Sequence, residues 1–251
     1  MKGHDDFDDF AGDYDGTLNQ ALSVSGESKD YFARGRVVWL AERLRALGLS
    51  PRSAVDFGCG TGSAAPWLVN ELGLESLLGL DISEKSIEVA RKRFGSERIR
   101  FQTLDAHEPK ADVDLAFCNG VFHHIPPRER AGAVSHVWRS LRPGGVWAFW
   151  DNNPYNPGTQ WIIHRLPFER DSVTVSVWEA KRLLRAGRFE ILTASHLFVF
   201  PRFLRWFRAL EPRLARLPIG AQYLVLAQKP YDRVAGVQVG GTSASPSAVS
   251  R

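Results

Sequence analysis

A glycine-rich segment, VDFGCGTG at residues 55–62, carries the strongest chemical signal in the chain. It follows a short apolar run and opens a helical pattern, and its glycines permit a tight turn and a close approach of a ligand to the backbone. The next apolar run ends at Asp81, where an acid can accept hydrogen bonds from ribose hydroxyls. The spacing G-x-G-x-G differs from the G-x-G-x-x-G of dinucleotide binders, and no P-loop lysine follows. These residues predict a ligand site at the first loop of a sheet.

Two adjacent histidines follow the fourth apolar run, in the sequence CNGVFHHIP. Histidine is the side chain best suited to accept a proton near neutral pH, so His123 or His124 is predicted to be a general base. Adjacent side chains point in different directions, and the two histidines therefore cannot share one role. The alternative for either residue is that it packs over a ligand or caps the loop.

Short apolar runs alternate with helical patterns, which is typical of a parallel sheet covered by helices on both faces. The predicted strands are residues 53–57, 77–80, 99–103, 113–118, 146–150, 189–194 and 223–227. The predicted helices lie near residues 32–48, 63–72, 83–94, 128–141 and 178–186. The sequence LRPGG at 141–145 is predicted to close a helix and turn into the fifth strand. In such a sheet the ligand lies at the carboxyl ends of the strands.

The composition narrows the class of protein. The chain has 251 residues, of which 44% are hydrophobic and 24% charged, and this excludes a disordered or fibrous protein. Its two cysteines cannot form a disulfide framework, and no run of about 18 apolar residues predicts a membrane span. The acidic start of the chain is unlike a signal peptide. We therefore expect a cytoplasmic protein.

The order of five motifs resembles that of the class I S-adenosylmethionine-dependent methyltransferases. The motifs are VDFGCGTG, LDIS, LDA after the third strand, CNGVFHHI after the fourth and LRPGG before the fifth. The resemblance covers roughly residues 30–230 and implies an α/β fold, with a Rossmann-like, seven-stranded, mostly parallel, doubly wound sheet and helical or loop cap elements. It divides the chain into an N-terminal lid at 1–35, a methyltransferase domain at 36–231 with acceptor-side insertions at 151–171 and 198–217, and a disordered tail at 232–251.

The resemblance also implies which residues would bind the cofactor, S-adenosyl-L-methionine. The acid before the glycine turn would face the amino group of the methionine part, and the acid after the second strand would bind the ribose hydroxyls. The residues after the third strand would meet the adenine amine, and the end of the fourth strand would lie beside the methionine part. The expected cofactor-binding residues are Asp56, Gly58, Cys59, Gly60, Gly62, Asp81, Ile82, Asp105, Ala106 and Asn119.

The sequence DNNPYNP after the fifth strand is a candidate for binding the methyl acceptor. We predict that Asn152, Asn153 and Tyr155 line the acceptor pocket, although Asn and Pro are also ordinary turn residues. Amino-directed members of the family carry an Asn/Asp-Pro-Pro-Tyr box after the fourth strand, and its absence there weighs against a nucleic-acid base as acceptor. Catechol-type members need a carboxylate at the end of that strand, where this chain has Asn119, so no metal ion is expected.

The pattern F-A-x-x-Y-D at residues 10–15 resembles the leading helix of the family, which folds over the cofactor. Tyr14 and Tyr31 are therefore predicted to belong to a lid on the substrate side, with a core anchor as the alternative for Tyr14. The charge distribution is uneven, because residues 1–30 carry eight acids against two lysines, and residues 160–230 carry twelve basic residues against five acids. A solvated surface explains this, and contact with an anionic partner is the alternative.

A basic amphipathic pattern, interrupted by Pro212, lies within residues 198–217. We predict that its apolar stripe packs on the edge of the domain with the arginines outside. The alternative is attachment to anionic lipid or capture of a lipid-linked or phosphorylated acceptor, and nucleic acid is a weaker option. The stripe consists of Phe203, Phe207, Leu210, Leu214 and Leu217.

The predicted function is metal-independent, in-line transfer of a methyl group to an oxygen or nitrogen nucleophile of a small molecule, with a histidine removing the proton. The alternatives are a methyltransferase acting on a lipid-linked or quinone acceptor at the membrane surface, and a non-catalytic, cofactor-binding regulatory module. The expected partner is the small-molecule acceptor. We expect a monomer or homodimer that binds no nucleic acid and is not integral to a membrane, with peripheral contact allowed.

Overall fold

A single seven-stranded sheet organises the protein in this computed structural model, which describes residues 25–166 and 172–231, and Gly16. The strand order is β3-β2-β1-β4-β5-β7-β6. Pairing is parallel from β3 across to β5, and β7 runs antiparallel to both of its neighbours. The predicted seven-stranded, mostly parallel α/β sheet is confirmed. The strands are β1 (Ser53–Phe57), β2 (Ser76–Asp81), β3 (Ile99–Thr103), β4 (Val113–Asn119), β5 (Leu141–Asn152), β6 (Glu190–Leu197) and β7 (Gln222–Gln228).

Helices cover both faces of the sheet because successive strand residues point to opposite sides and are apolar on both. Ala54 packs in the cluster that also contains the apolar faces of α1, α2 and α3, whereas Val55 packs with α4 and α6. The helices are α1 (Lys29–Ala46), α2 (Ala65–Leu72), α3 (Glu84–Phe94), α4 (Arg130–Ser140), α5 (Pro157–Ile163), α6 (Val177–Ala186) and α7 (Glu211–Leu214), with 3-10 segments at Leu104–Ala106 and Arg202–Leu210.

The fifth strand begins earlier than the sequence predicts. Leu141 already pairs with Val113, and the register shifts before Leu115 pairs with Val146. Gly144 supplies the positive φ of 78° in this stretch, and its N–H donates to the backbone beyond β7. The segment LRPGG follows the end of α4 at Ser140, as predicted, but it forms the irregular first part of β5 and not a turn that precedes the strand.

The segment at 198–217 also departs from prediction. Residues Arg202–Leu210 form 3-10 turns that are interrupted at Leu204, which has the non-helical angles φ −106° and ψ 20°, so the continuous α-helical face that the spacing requires does not form. Phe203, Phe207 and Leu210 are 74%, 49% and 41% exposed. The prediction that this stripe packs on the domain edge was wrong.

Three predicted features bear on the ends of the chain. Most of the lid at 1–35, including Tyr14, and the tail at 232–251 lie outside the described residues. The predicted boundary between residues 35 and 36 falls inside α1.

Within residues 25–166 and 172–231, the helices are each too short or too polar to cross a bilayer.

Asp114 ties together the amino ends of β1, β4 and β5, far from the carboxyl ends where a ligand is expected. Its carboxylate accepts hydrogen bonds from the backbone N–H groups of Arg52 and Ser53, at 2.8 and 2.9 Å, and from the guanidinium of Arg142. Burial raises the pKa of Asp114, but these hydrogen bonds together outweigh it and hold the pKa below its usual value.

We expect Asp114→Ala to lower the free energy of unfolding by about 1–2 kcal/mol, since the N–H groups of Arg52 and Ser53 lose their acceptor. Because the folded state binds the proton less tightly than the unfolded state, this stabilisation is present above about pH 4 and is lost as the pH falls through the lowered pKa. Urea unfolding of wild type and variant over that range measures both effects. Asp112→Ala, at an exposed neighbour, is the control, and an equal loss in the two variants would contradict the assignment.

Candidate active site

A cavity of about 1130 Å³ opens at the carboxyl ends of the parallel strands. It lies where the strand order reverses, because β2 and β4 flank β1 on opposite sides and the chain continues outward from each. In open α/β sheets, ligands bind in the crevice at this position. The volume exceeds the ~300–1000 Å³ usual for a single small ligand, so the cavity has room for two.

The glycine turn after β1 forms one wall of this cavity. The N–H groups of Gly58 and Cys59 donate to the carbonyl of Leu80 at 2.8 and 2.9 Å, which fixes the turn against the end of β2. Gly58 has a φ of 75°, and a Cβ there would lie 2.3 Å from a methyl group of Val121. Gly60 has a φ of 52° and a Cβ there would meet open space. The absence of side chains thus lets the turn pack tightly at Gly58 and leaves room for a ligand at Gly60.

Asp81 organises the same turn from the end of β2. One carboxylate oxygen accepts from the N–H of Gly60 at 2.8 Å, and the other accepts from the N–H of Ser83 at 3.0 Å. The hydroxyl of Ser83 in turn caps α3. A carboxylate has about four acceptor positions, so these bonds leave capacity for a ligand hydroxyl. Asp81 therefore has a structural role beside the one expected from sequence.

Asp56, at the end of β1, is a buried acid facing the cavity, with only 2% of its surface exposed. The pKa of Asp56 is raised to about 7, mainly by burial and also by the negative charge of Asp81, while Arg36 opposes the shift. A cationic group that binds beside such a carboxyl lowers the free energy of its ionised form, because the cation replaces the favourable hydration that burial removed.

Arg36 projects into the cavity from the buried face of α1 and was not predicted as a site residue. It donates to the side-chain oxygen of Gln222 at 2.8 Å, and the amide of Gln222 donates to Asn152 at 3.1 Å. All three side chains line the cavity, as does Asp56. The cavity thus presents an acid and a guanidinium to the same ligand. The signal in the sequence is a charge among Ala33, Val37 and Leu40, at helical spacing on an otherwise apolar face.

His123 and Asp151 form the best-defined polar pair in the cavity region. His123 Nδ1 lies 2.5 Å from Asp151 Oδ1, and the two side chains are 4% and 1% exposed. The pairing of Asn119 with Trp150 aligns β4 and β5, so the loop after β4 lies beside the end of β5. A carboxylate only accepts, so Nδ1 donates, and Nε2 is the basic nitrogen of the neutral imidazole.

His124 differs from His123 in its surroundings. It lines the cavity but is only partly buried, and its ring lies 4.2 Å from that of His123. Asp151 was not predicted as a site residue, although its position at the end of β5 is a signal that sequence offers.

The cavity brings together most of the residues expected from sequence. Its lining includes Asp56, Gly58, Cys59, Gly60, Asp81, Ile82, Asp105, Asn119, His123, His124 and Asn152. Gly62, Ala106, Tyr31, Asn153 and Tyr155 are not among the lining residues.

Residues outside the lining have other contacts that explain their positions. The amide of Asn153 donates to two backbone carbonyls, those of Pro218 and Gly220, at 3.0 and 2.8 Å. Tyr155 is 65% exposed and packs edge-on against Trp178. These two residues shape the loop after β5, whereas Asn152 faces the cavity.

A hydrogen-bonded histidine pair lines the same cavity and was not predicted. His107 Nδ1 lies 2.8 Å from His136 Nε2. Burial lowers the pKa of His136 to about 4, with His107 and Arg139 adding to the shift, and burial also lowers the pKa of His107. Both rings are therefore neutral at neutral pH, and one donates to the other.

No group of three or more histidine, cysteine, aspartate or glutamate side chains is arranged to hold a metal ion within the described ranges 25–166 and 172–231. The thiols of Cys59 and Cys118, which could otherwise bind a metal ion as thiolates, are protonated, because burial raises the pKa of each well above the usual value.

Comparisons with known proteins agree with this geometry. Residues 54–145 match the model of a methyltransferase domain family. The chain is 30% identical to trans-aconitate 2-methyltransferase of Rhizobium leguminosarum over 54% of this chain and 52% of that protein. It is 29% identical to a Mycolicibacterium smegmatis protein named "Probable S-adenosylmethionine-dependent methyltransferase", over 72% of this chain and 70% of that protein.

Among solved structures, an S-adenosylmethionine-dependent methyltransferase from Mesorhizobium loti has the same fold. The TM-score is 0.54 at 24% identity, and the match covers 74% of this chain and 96% of that one. The chain spans about half the length, or less, of the trans-aconitate 2-methyltransferases that it matches, namely 52%, 37% and 45% for three of them.

The raised pKa of Asp56 has a consequence for the ligand-free protein. We expect Asp56→Asn to raise the free energy of unfolding at about pH 8, by at most about 4 kcal/mol, since each pKa unit corresponds to about 1.4 kcal/mol. A carboxyl with a raised pKa stabilises the fold below its unfolded pKa, and this is lost as the pH rises through about 7, so the gain should shrink towards pH 4. Urea unfolding across this pH range is the measurement.

Asp105→Asn serves as the matched control, because Asp105 lines the same cavity but is exposed. It should leave the unfolding free energy within about 0.5 kcal/mol of wild type. An Asp56→Asn protein that is less stable than wild type at about pH 8 would show that the acid is satisfied in the empty cavity.

Proposed function

We propose that the chain is a class I S-adenosylmethionine-dependent methyltransferase that transfers the methyl group to an oxygen or nitrogen nucleophile of a small molecule; the match of residues 54–145 to a methyltransferase domain model supports this. The observation that carries the proposal is the buried His123–Asp151 pair, which borders the cavity that also contains Asp56 and the glycine turn. One cavity thus contains groups suited to a charged cofactor and a base suited to the acceptor.

S-adenosylmethionine would supply a methyl group that is activated on a positively charged sulfur. The polar side chains of the cavity fit the amino-acid part of this cofactor. Its ammonium group would pair with Asp56, and its carboxylate would pair with Arg36, which is buried in the same lining. The open space at Gly60 gives the backbone a close contact with the ligand. Asp81 would accept from the ribose hydroxyls. A zwitterion therefore meets opposite charges at both of its ends.

Binding of a cation beside Asp56 favours the ionised form of this acid. In the free protein, the pKa of Asp56 is about 7, so part of the population must lose a proton before it can pair with the ammonium group. Affinity for the cofactor should therefore weaken as the pH falls below about 7.

His123 is proposed as the general base, with Asp151 as its positioning residue. As the acceptor atom forms its bond to the methyl carbon and the carbon–sulfur bond breaks, the acceptor proton passes to His123 Nε2. Asp151 holds the ring through Nδ1 and stabilises the imidazolium that results. His124 lines the cavity with its ring against that of His123 and is assigned a packing role over the loop.

The proposed acceptor carries a hydroxyl or amine on an apolar body. Part of the cavity lining is apolar and comes from α5 and the turn after it, namely Ile162, Ile163 and Leu166. Another part is polar and consists of Arg36, Gln222 and Asn152. A carboxylate acceptor, such as the name trans-aconitate 2-methyltransferase indicates for a relative, needs no base at neutral pH. The His123–Asp151 pair favours an acceptor that must lose a proton, by a metal-independent route.

Calorimetric titration with S-adenosylmethionine tests the cofactor assignment. We expect binding at about pH 8, an affinity about tenfold weaker at about pH 6, and loss of this pH dependence together with affinity in Asp56→Asn. Asp81→Ala should also lose affinity, since the turn at Gly60 loses its acceptor. Absence of binding at both pH values would refute the proposal.

Turnover tests the base. With formation of S-adenosylhomocysteine as the readout and a panel of phenols, alcohols, amines and small acids that includes trans-aconitate, we expect His123→Asn to reduce kcat by about 10²–10⁴-fold for any protonated acceptor. Asp151→Asn should reduce it less, and both variants should retain cofactor affinity. His124→Asn is the matched control and should stay within about threefold of wild type.

The same panel separates the acceptor classes. If only carboxylates are methylated and His123→Asn leaves kcat unchanged, then His123 removes no proton and the role assigned to the His123–Asp151 pair is wrong. A pH profile of kcat/KM that retains its acid limb in His123→Asn would lead to the same conclusion.

A further inference from the structure

The segment of residues 202–217, called here the Arg-aromatic segment, presents large apolar side chains to solvent. Phe203 and Trp206 are 74% and 76% exposed, and Phe207 is 49% exposed. Leu210 and Leu217 are also exposed. Five large apolar side chains exposed within 16 residues are uncommon on a protein that contacts only water, and such clusters mark interaction sites.

The same segment is strongly basic. Arg205, Arg213 and Arg216 are exposed, and no acidic side chain of the described residues forms an ion pair with any of the three. The Arg205 guanidinium lies 4.8 Å from the centre of the Trp206 ring. The acid within the segment, Glu211, is already engaged, because it accepts from the N–H of Phe200. Exposed positive charge therefore surrounds the exposed aromatic rings.

The fold holds this segment beside the mouth of the cavity. It follows β6, which is parallel to β5, so it starts at the edge of the sheet where the cavity opens. Phe198 packs edge-on against Phe32 at 4.9 Å, and Phe32 lines the cavity. Arg208 bonds to Glu27 and lies over the ring of Tyr31. Whatever binds the Arg-aromatic segment is thereby brought close to the acceptor's entrance.

We propose that the Arg-aromatic segment binds peripherally to the surface of an anionic lipid bilayer. Tryptophan and phenylalanine side chains insert at the boundary between headgroups and acyl chains, and arginines around them pair with anionic headgroups. The mixture of exposed rings and exposed arginines matches both parts of such a surface. A second copy of the chain fits less well, since a two-fold interface would place like charges against each other.

Co-sedimentation of the full chain with lipid vesicles tests the proposal independently of turnover. We expect binding to vesicles of phosphatidylcholine with about one-third phosphatidylglycerol at about 0.1 M salt, where the screening length is about 10 Å. The bound fraction should fall several-fold at about 1 M salt and with pure phosphatidylcholine. Because neither cofactor nor acceptor is needed, this result stands or fails separately from the proposed function.

Paired variants show whether the assigned side chains are responsible. Phe203→Ser with Trp206→Ser should reduce the bound fraction several-fold, and Arg205→Gln with Arg213→Gln should do so mainly at low salt. Trp178→Ser is the matched control, because Trp178 is 59% exposed but lies on α6, which packs on the opposite face of the sheet. Circular dichroism and cofactor affinity should be unchanged in all variants.

Three outcomes would overturn the proposal. One is the absence of binding to anionic vesicles at low salt, and another is an equal loss of binding in Trp178→Ser. The third is a dimer, detected by light scattering, that dissociates in the double variant Phe203→Ser, Trp206→Ser while vesicle binding is absent. That result would show that a second copy of the chain binds the Arg-aromatic segment.

Discussion

The reversal of strand order between β1 and β4 is the constraint on which the site depends. Because β2 and β3 continue to one side of β1, and β4 and β5 to the other, the chain leaves the two central strands on opposite faces and a crevice opens between them. Each strand that reaches this edge contributes a polar group to it: Asp56 from β1, Asp81 from β2, the histidine loop from β4 and Asp151 from β5. The strand interiors are apolar, so the core is independent of the chemistry that its ends present.

Electrostatics separates the acids of the site from those that stabilise the fold. Asp114 accepts several hydrogen bonds at the amino end of the sheet, and these hold its pKa below the usual value. Asp56, at the carboxyl end, is buried near a second acid, and its pKa is raised to about 7. The same residue type therefore stabilises the empty protein at one edge and destabilises it at the other. Such a cost persists where a ligand compensates it, which supports a cationic group as the occupant beside Asp56.

The sequence predicts those parts of the fold that local pattern determines. The ends of β1 and β3 were predicted to the residue, because apolar runs bounded by turns specify buried parallel strands. Asp151 and Arg36 were not predicted, because their roles arise from contacts between elements distant in the sequence. The exposed stripe at Phe203 was predicted to be buried, since spacing alone cannot distinguish an α-helix from the 3-10 helix that forms. Local spacing thus specifies elements, whereas long-range pairing specifies the partners of polar groups.

The extent of the family match explains why the cofactor is better determined than the acceptor. The matched residues 54–145 include the glycine turn, Asp81 and His123, but end within the early part of β5. Asp151, Gln222 and the apolar residues of α5 lie beyond that range, and Arg36 precedes it. These are the side chains that complete the cavity around His123. Similarity within 54–145 therefore supports the proposed cofactor, while the proposed acceptor rests on side chains outside that range.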